Sequence, residues 1–156
     1  MDHSHFIGKL VLSTNFGVGK VVDIDNLGMG ERLFLVIESE GKNVKNFVPL
    51  DDEHNYRVIC TKDTIEKVVS DLGGKSKLEA FTSKKDRIDY FKTQSKIQDV
   101  VLMGGLLVQL EALEDRSSAE QQLYSRLVDS IALEHSIIME GQIDDSKDII
   151  TARLQA

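Results

Sequence analysis

Few side chains in this chain have types and spacings that could do chemistry. Asp51-Asp52-Glu53-His54 sets three carboxylates and an imidazole in one short stretch, the raw material of general acid–base work or of metal binding. Contiguous acids of this kind also describe a solvated turn, which is the expectation for this loop. His3 and His5 stand one residue apart beside Asp2, but no third and fourth ligands follow at metal-site spacing. Gly17-Val18-Gly19 lacks both the later glycine of a dinucleotide loop and the Lys-Ser/Thr of a P-loop. Cys60 is the single cysteine, so an internal disulfide is excluded, and it has no evident base beside it. His135 falls near the buried side of a helical pattern and is expected to pack there. The chain is therefore expected to be neither an enzyme nor the holder of a metal or cofactor.

The elements that carry these residues change character near residue 74. Before it the pattern is that of short strands: Lys9-Leu10-Val11-Leu12, a bend at Gly17-Val18-Gly19, then Lys20-Val21-Val22-Asp23-Ile24, rich in β-branched residues. Asn26-Leu27-Gly28-Met29-Gly30 predicts a hairpin turn, since Asn and Gly tolerate positive φ. Leu33-Phe34-Leu35-Val36-Ile37, apolar on both faces, reads as a central strand. Glu40-Gly41-Lys42-Asn43 turns into a strand ending at Val48, and Pro49, the only proline, belongs at a strand end or sheet edge because it cannot donate to a ladder. Tyr56-Arg57-Val58-Ile59-Cys60 supplies a fifth strand.

Thr61 can cap a helix with Asp63 in its first turn and Ile65, Val68, Val69 and Leu72 at helical spacing; Gly73-Gly74 stops it. Two domains, 1–74 and 75–156, follow from this switch of period. The second domain is helical throughout. Leu78, Phe81, Ile88 and Phe91 ride one segment, interrupted at Thr82-Ser83. A second helix carries Ile97, Val100, Val101, Gly104, Leu107 and Leu110 on its face, and a third opens at the capping-box pair Ser117 and Glu120, burying Leu123, Leu127, Ile131 and Ile138. Residues 144–154 form a short helix or a fraying tail. Gly104-Gly105 inside a helix costs roughly 2 kcal/mol relative to alanine, which close helix approach or a kink would explain.

Charge is uneven along the chain. Residues 1–74 hold 8 Lys or Arg against 12 Asp or Glu, residues 75–96 hold 7 against 3, and residues 97–156 hold 4 against 11, within a net charge of −7. The basic island is Lys75, Lys77, Lys84, Lys85, Arg87, Lys92 and Lys96, which is either a solvated helix face or a phosphate-contacting one. The longest apolar run, residues 100–108, is far short of the ~20 residues of a membrane span. With no secretory leader pattern at its start, the chain is expected in the cytoplasm and away from membranes.

Taken in order, Phe6-Ile7-Gly8-Lys9-Leu10-Val11, Phe16-Gly17-Val18-Gly19-Lys20-Val21-Val22-Asp23-Ile24, Phe47-Val48-Pro49-Leu50 and Arg57-Val58-Ile59 before a helix resemble the CarD/CdnL family. In the second half Phe81 and the basic residues after it, Ser95 before a second helix and Ser117-x-x-Glu120 before a third continue the resemblance, which covers nearly the whole chain. It implies an α+β protein: a Tudor-like five-stranded β-barrel that binds the RNA polymerase β subunit, followed by a helical bundle that meets promoter DNA at the upstream edge of the transcription bubble. The implied activity is non-catalytic control of open-complex stability in bacterial transcription initiation.

By the same resemblance, Phe81 stands where a tryptophan wedge is expected, and Lys84, Lys85 and Arg87 stand as phosphate contacts. Leu27 and Phe47 occupy positions at which some family members present arginine, and Phe16 replaces a frequent histidine. Residues 42–48 are the expected docking edge, with Lys45, Asn46 and Phe47 as readers, Leu27 nearby and Val48 in the core. The alternative is a protein-only adaptor that makes no DNA contact.

Overall fold

The β-branched first third of the chain forms antiparallel strands, and the remainder forms helices. The computed structural model describes residues 3–13, 16–28, 30–39, 43–74 and 81–156. After a 3-10 turn at Ser4–Phe6 come β1 (Leu10–Ser13), β2 (Gly17–Asp25), β3 (Phe34–Ser39), β4 (Lys45–Pro49) and β5 (Arg57–Val58). The helices are α1 (Lys62–Asp71), α2 (Lys84–Gln94), α3 (Val100–Glu111), α4 (Ser118–Ile138) and α5 (Ile143–Leu154). The class is thus α+β.

The sheet runs β4-β3-β2-β1-β5, all neighbours antiparallel. It is open, not the closed barrel expected from the sequence, because β4 and β5 are its two ends. β5 is only two residues long, so the last strand has too few ladder positions to complete a barrel. One face carries the core: Val11, Val21, Leu35, Ile37, Val48 and Tyr56 pack together, with Phe6, Phe16, Ile24, Leu50 and Val58 around them. Each fully buried aliphatic side chain there contributes about 1.5–3 kcal/mol of transfer free energy.

Gly17-Val18-Gly19 is not a bend but the start of β2. Gly17 has φ +79°, which closes the β1–β2 hairpin, and a Cβ at Gly19 would lie 2.3 Å from Ile37 Cγ2. Glycine at position 19 therefore lets the core side chain of β3 cross over β2. Val22 is the extra residue of a bulge between Val21 and Asp23, and the bulge turns it outward.

Contacts divide the chain into two units, Met1–Ile59 and Cys60–Ala156. α1, grouped with the strands by the sequence pattern, belongs to the helical unit. Its apolar stripe, Ile65, Val68, Val69 and Leu72, lies in one core with Phe91, Leu107, Leu110, Ile131 and Ile150. A helical stripe of that width is complementary to other helices, and α3, α4 and α5 all contact it.

Several helix ends follow from the sequence. Thr61 Oγ1 accepts the N–H of Thr64, Ser83 Oγ that of Asp86, and Ser117 with Glu120 forms a complete capping box. α3 is capped by Asp99, which accepts the N–H groups of Val101 and Leu102; Ser95 instead ends α2. Residues 144–154 are a helix, docked through Ser146, Ile150 and Leu154. Among the described residues no helix is long and apolar enough to cross a membrane.

Candidate functional site

β4 is an edge strand, as its proline requires. Its register with β3 pairs Glu38 with Lys45, Ile37 with Asn46, Val36 with Phe47 and Leu35 with Val48. Ser39 N–H donates to Val44 O and Leu50 N–H to Leu33 O, so by the alternation of an antiparallel ladder Val44, Asn46, Val48 and Leu50 direct their main-chain groups toward β3. Lys45, Phe47 and Pro49 direct theirs outward. Pro49 has no N–H to lose there, and the open edge offers donors only at Lys45 and Phe47.

Side chains alternate in the same register. Val48 is buried, and Asn46 donates from Nδ2 to Ser39 Oγ at 3.0 Å, so Asn46 braces the hairpin and is not an outward reader. Lys45 and Phe47 point to the opposite face, and Phe47 is 51% exposed. Across that face Phe47 lies in one row with Val36 and Asp23, and Lys45 in the next with Glu38 and Lys20. Val22 and Val44 add exposed apolar surface that the sequence pattern did not single out. Lys42, the expected start of the edge, lies outside the described residues.

Leu27 sits in the β2–β3 turn with φ +56°, a conformation that costs a non-glycine residue roughly 1–2 kcal/mol. The Gly28 N–H donates to Asn26 Oδ1 at 3.0 Å and holds the turn.

The helical candidates divide. Phe81 is half-buried, with its ring centroid 5.3 Å from Tyr90 and 6.4 Å from Phe91, the most buried aromatic of the core. Arg87, expected at phosphate, is instead the hub of an internal network. Nε and Nη2 donate to the two carboxylate oxygens of Glu120 at 2.8 and 2.7 Å, Nη1 to Asp115 Oδ1 at 2.9 Å, and Nη2 also to Asp115 O at 3.3 Å. Its side chain is 11% exposed and Glu120 is 1% exposed. A guanidinium so occupied is not presented to a nucleic acid. Lys84 stays exposed with Nζ 3.9 Å from Asp115, and Lys85 is exposed beside it. Lys75 and Lys77 lie outside the described residues.

Burial raises the Glu120 carboxyl, but the hydrogen bonds from Arg87 and from the Ser117 backbone and hydroxyl together hold it below the ordinary carboxylate range. The Arg87 hydrogen bond likewise lowers Asp115. Nothing local in the sequence announces the Arg87–Glu120 pair, whose members are 33 residues apart.

The acidic loop holds itself. Asp51 Oδ1 accepts two hydrogen bonds from Arg32, at 3.3 and 3.2 Å, Asp52 accepts from the Asn55 amide, and Tyr56 Oη donates to Leu50 O at 2.8 Å. Burial, then Glu53, Asp51 and Asp52 in that order, push the Tyr56 hydroxyl up. His135 is buried, with Nδ1 2.7 Å from Ser146 Oγ, and Cys60 donates its main-chain N–H to Glu134 at 2.9 Å. Asp2, the carboxylate beside His3 and His5, lies outside the described residues.

No known family model matches this sequence, and no curated protein is significantly similar to it.

Proposed function

We propose that this chain is a non-catalytic regulator of bacterial transcription that docks on the β subunit of RNA polymerase through the outer edge of β4. Phe47 carries the proposal: a large apolar ring, half in solvent, on a strand whose outward main-chain groups are unpaired by the sheet. In the monomer that exposure has no structural return. A partner strand laid along Lys45 and Phe47 would gain main-chain hydrogen bonds and cover the ring. The ordered resemblance to CarD/CdnL proteins, including a Tudor-like module, supplies the identity of the partner, and Leu27, at the same end of the sheet as Pro49, extends the surface.

Protein docking without DNA contact fits the helical unit better than a phosphate clamp does, because Arg87 is neutralised by Glu120 and Asp115. Direct promoter contact in the open complex is the second reading. It is favoured by the exposed Lys84 and Lys85 at the start of α2, next to Phe81, and it requires tighter binding to open than to closed promoter.

Capture of cognate RNA polymerase on the immobilised protein tests the first reading. The wild type is expected to retain the enzyme, Phe47→Asp to lose it at least tenfold, about 1.4 kcal/mol or more, and Lys84→Ala with Lys85→Ala to retain it. Absence of capture by the folded wild type would remove polymerase as the partner. A shortened open-complex lifetime in the double lysine variant, with capture intact, would favour promoter contact over the adaptor.

A further inference from the structure

We propose that the outward stripe of α3 is a self-association surface, on which a second copy of this chain lays its own α3 antiparallel. α3 has no charged side chain from Val100 to Leu110, and one face is consumed by the core through Val100, Met103, Leu106, Leu107 and Leu110. Sequence periodicity placed Val101 on that buried face, but it is 57% exposed and neighbouring Leu102 is 48% exposed. The stripe away from the core is Val101, Gly105, the half-buried Val108 and, at the C-cap, Ala112, at spacings of four, three and four, the seam by which one helix packs on another. A helix apolar on all sides is ordinarily covered on all sides.

The two glycines of α3 have different explanations. A Cβ at Gly104 would come within 3.0 Å of Val68 Cγ1, so the approach of α1 accounts for that residue. A Cβ at Gly105 would meet nothing within 4 Å. Nothing among the described residues requires glycine at 105, whereas a helix crossing over it would.

Shape and charge select a second copy as the occupant. Large and small residues alternate along the stripe, and positions 101 with 112 and 105 with 108 are symmetric about its midpoint. An antiparallel two-fold therefore seats each valine on a small residue of the other copy, and every contact occurs twice, as an isologous interface demands. The adjoining groove between α1 and α3, about 430 Å3, has one cation and one anion at its rim, Lys67 and Asp71, 2.8 Å apart. Turned through a two-fold, such a rim sets cation over anion. Residues 97–156 hold 4 Lys or Arg against 11 Asp or Glu, and this stripe, free of charged side chains, is a place where two copies can meet without like-charge contact.

Sedimentation equilibrium of the full chain, from about 1 µM to about 1 mM, tests the proposal. The expected result is a monomer–dimer equilibrium that Val101→Glu weakens at least about tenfold without lowering the melting temperature, since position 101 is exposed. In a Cys60→Ser background, a mixture of Val101→Cys and Ala112→Cys chains should cross-link on oxidation. Val101→Cys alone should not, its two copies lying about 16 Å apart at opposite ends of the seam. A chain that stays monomeric over the whole range, a dimer indifferent to Val101→Glu, or self-cross-linking of Val101→Cys would each overturn it.

Discussion

At Arg87 the guanidinium closes a bidentate pair with Glu120 and a third bond with Asp115, so the capping box that begins α4 is also the anchor of α2. Removing Arg87 leaves the Glu120 carboxylate buried without its charged partner. Arg87→Ala is expected to cost about 3 kcal/mol in urea unfolding, and Arg87→Lys to recover little of it, because an ammonium cannot make the paired bonds. An unchanged midpoint in Arg87→Ala would show that the network contributes nothing. The Glu120 carboxyl is lower in the folded than in the unfolded chain, so its stabilising effect is complete above the unfolded value of about 4.3 and is lost as pH falls through the depressed folded value. Acid unfolding of Glu120→Gln should lack that part of the slope. Burial holds His135 below its ordinary value against a small opposing effect of Glu66, so its contribution too is present above about 6.5 and fades as pH falls through the lowered value. Thermal melts of His135→Gln should depend less on pH between about 7 and 5 than those of the wild type.

At the scale of elements, α3 tests how two adjacent glycines differ. Alanine gains up to about 1 kcal/mol of helix propensity at either position. At 104 the added methyl group presses on Val68, which is buried and held to a stiff β-branched rotamer, and overpacking of this kind costs about 1–3 kcal/mol. Melts at dilute concentration should therefore place Gly104→Ala below Gly105→Ala. The reverse order would mean that the α1–α3 contact is slack. In the strands, the legible elements were the apolar runs bounded by clear turn signals. β3 and β4 emerge from the sequence nearly as they stand, and Pro49 marks the edge, because a residue without an N–H has few other places in a sheet. α3 was legible as a helix but not in its orientation: a segment apolar on every side has no periodic signal to say which side is buried, hence the misplacement of Val101.

For the whole molecule, the division at Ile59 has consequences for dissection. A fragment of residues 60–156 keeps α1 with its helical partners and is expected to melt cooperatively, with a helical circular dichroism spectrum. A fragment of residues 75–156 loses Ile65, Val68, Val69 and Leu72 from that core and should not. Equal cooperativity of the two fragments would return α1 to the strand unit. Residues 1–59 are near the lower size at which a single core suffices, which makes their independent folding the more marginal case.

The sequence by itself determined the class of most segments, the helix starts at Thr61 and Ser117, the confinement of Pro49 to a strand end or edge and the uneven charge, all of which arise from neighbours within a turn or a strand. Only the tertiary structure decided the rest. It opened the sheet, because β5 is too short to complete a ring. It moved α1 to the helices, because its stripe matches theirs. It also took Arg87 out of the basic island, because Glu120 and Asp115 come to it from about thirty residues away. Local chemistry names the elements, but partners distant along the chain set which charges stay exposed and which faces remain open.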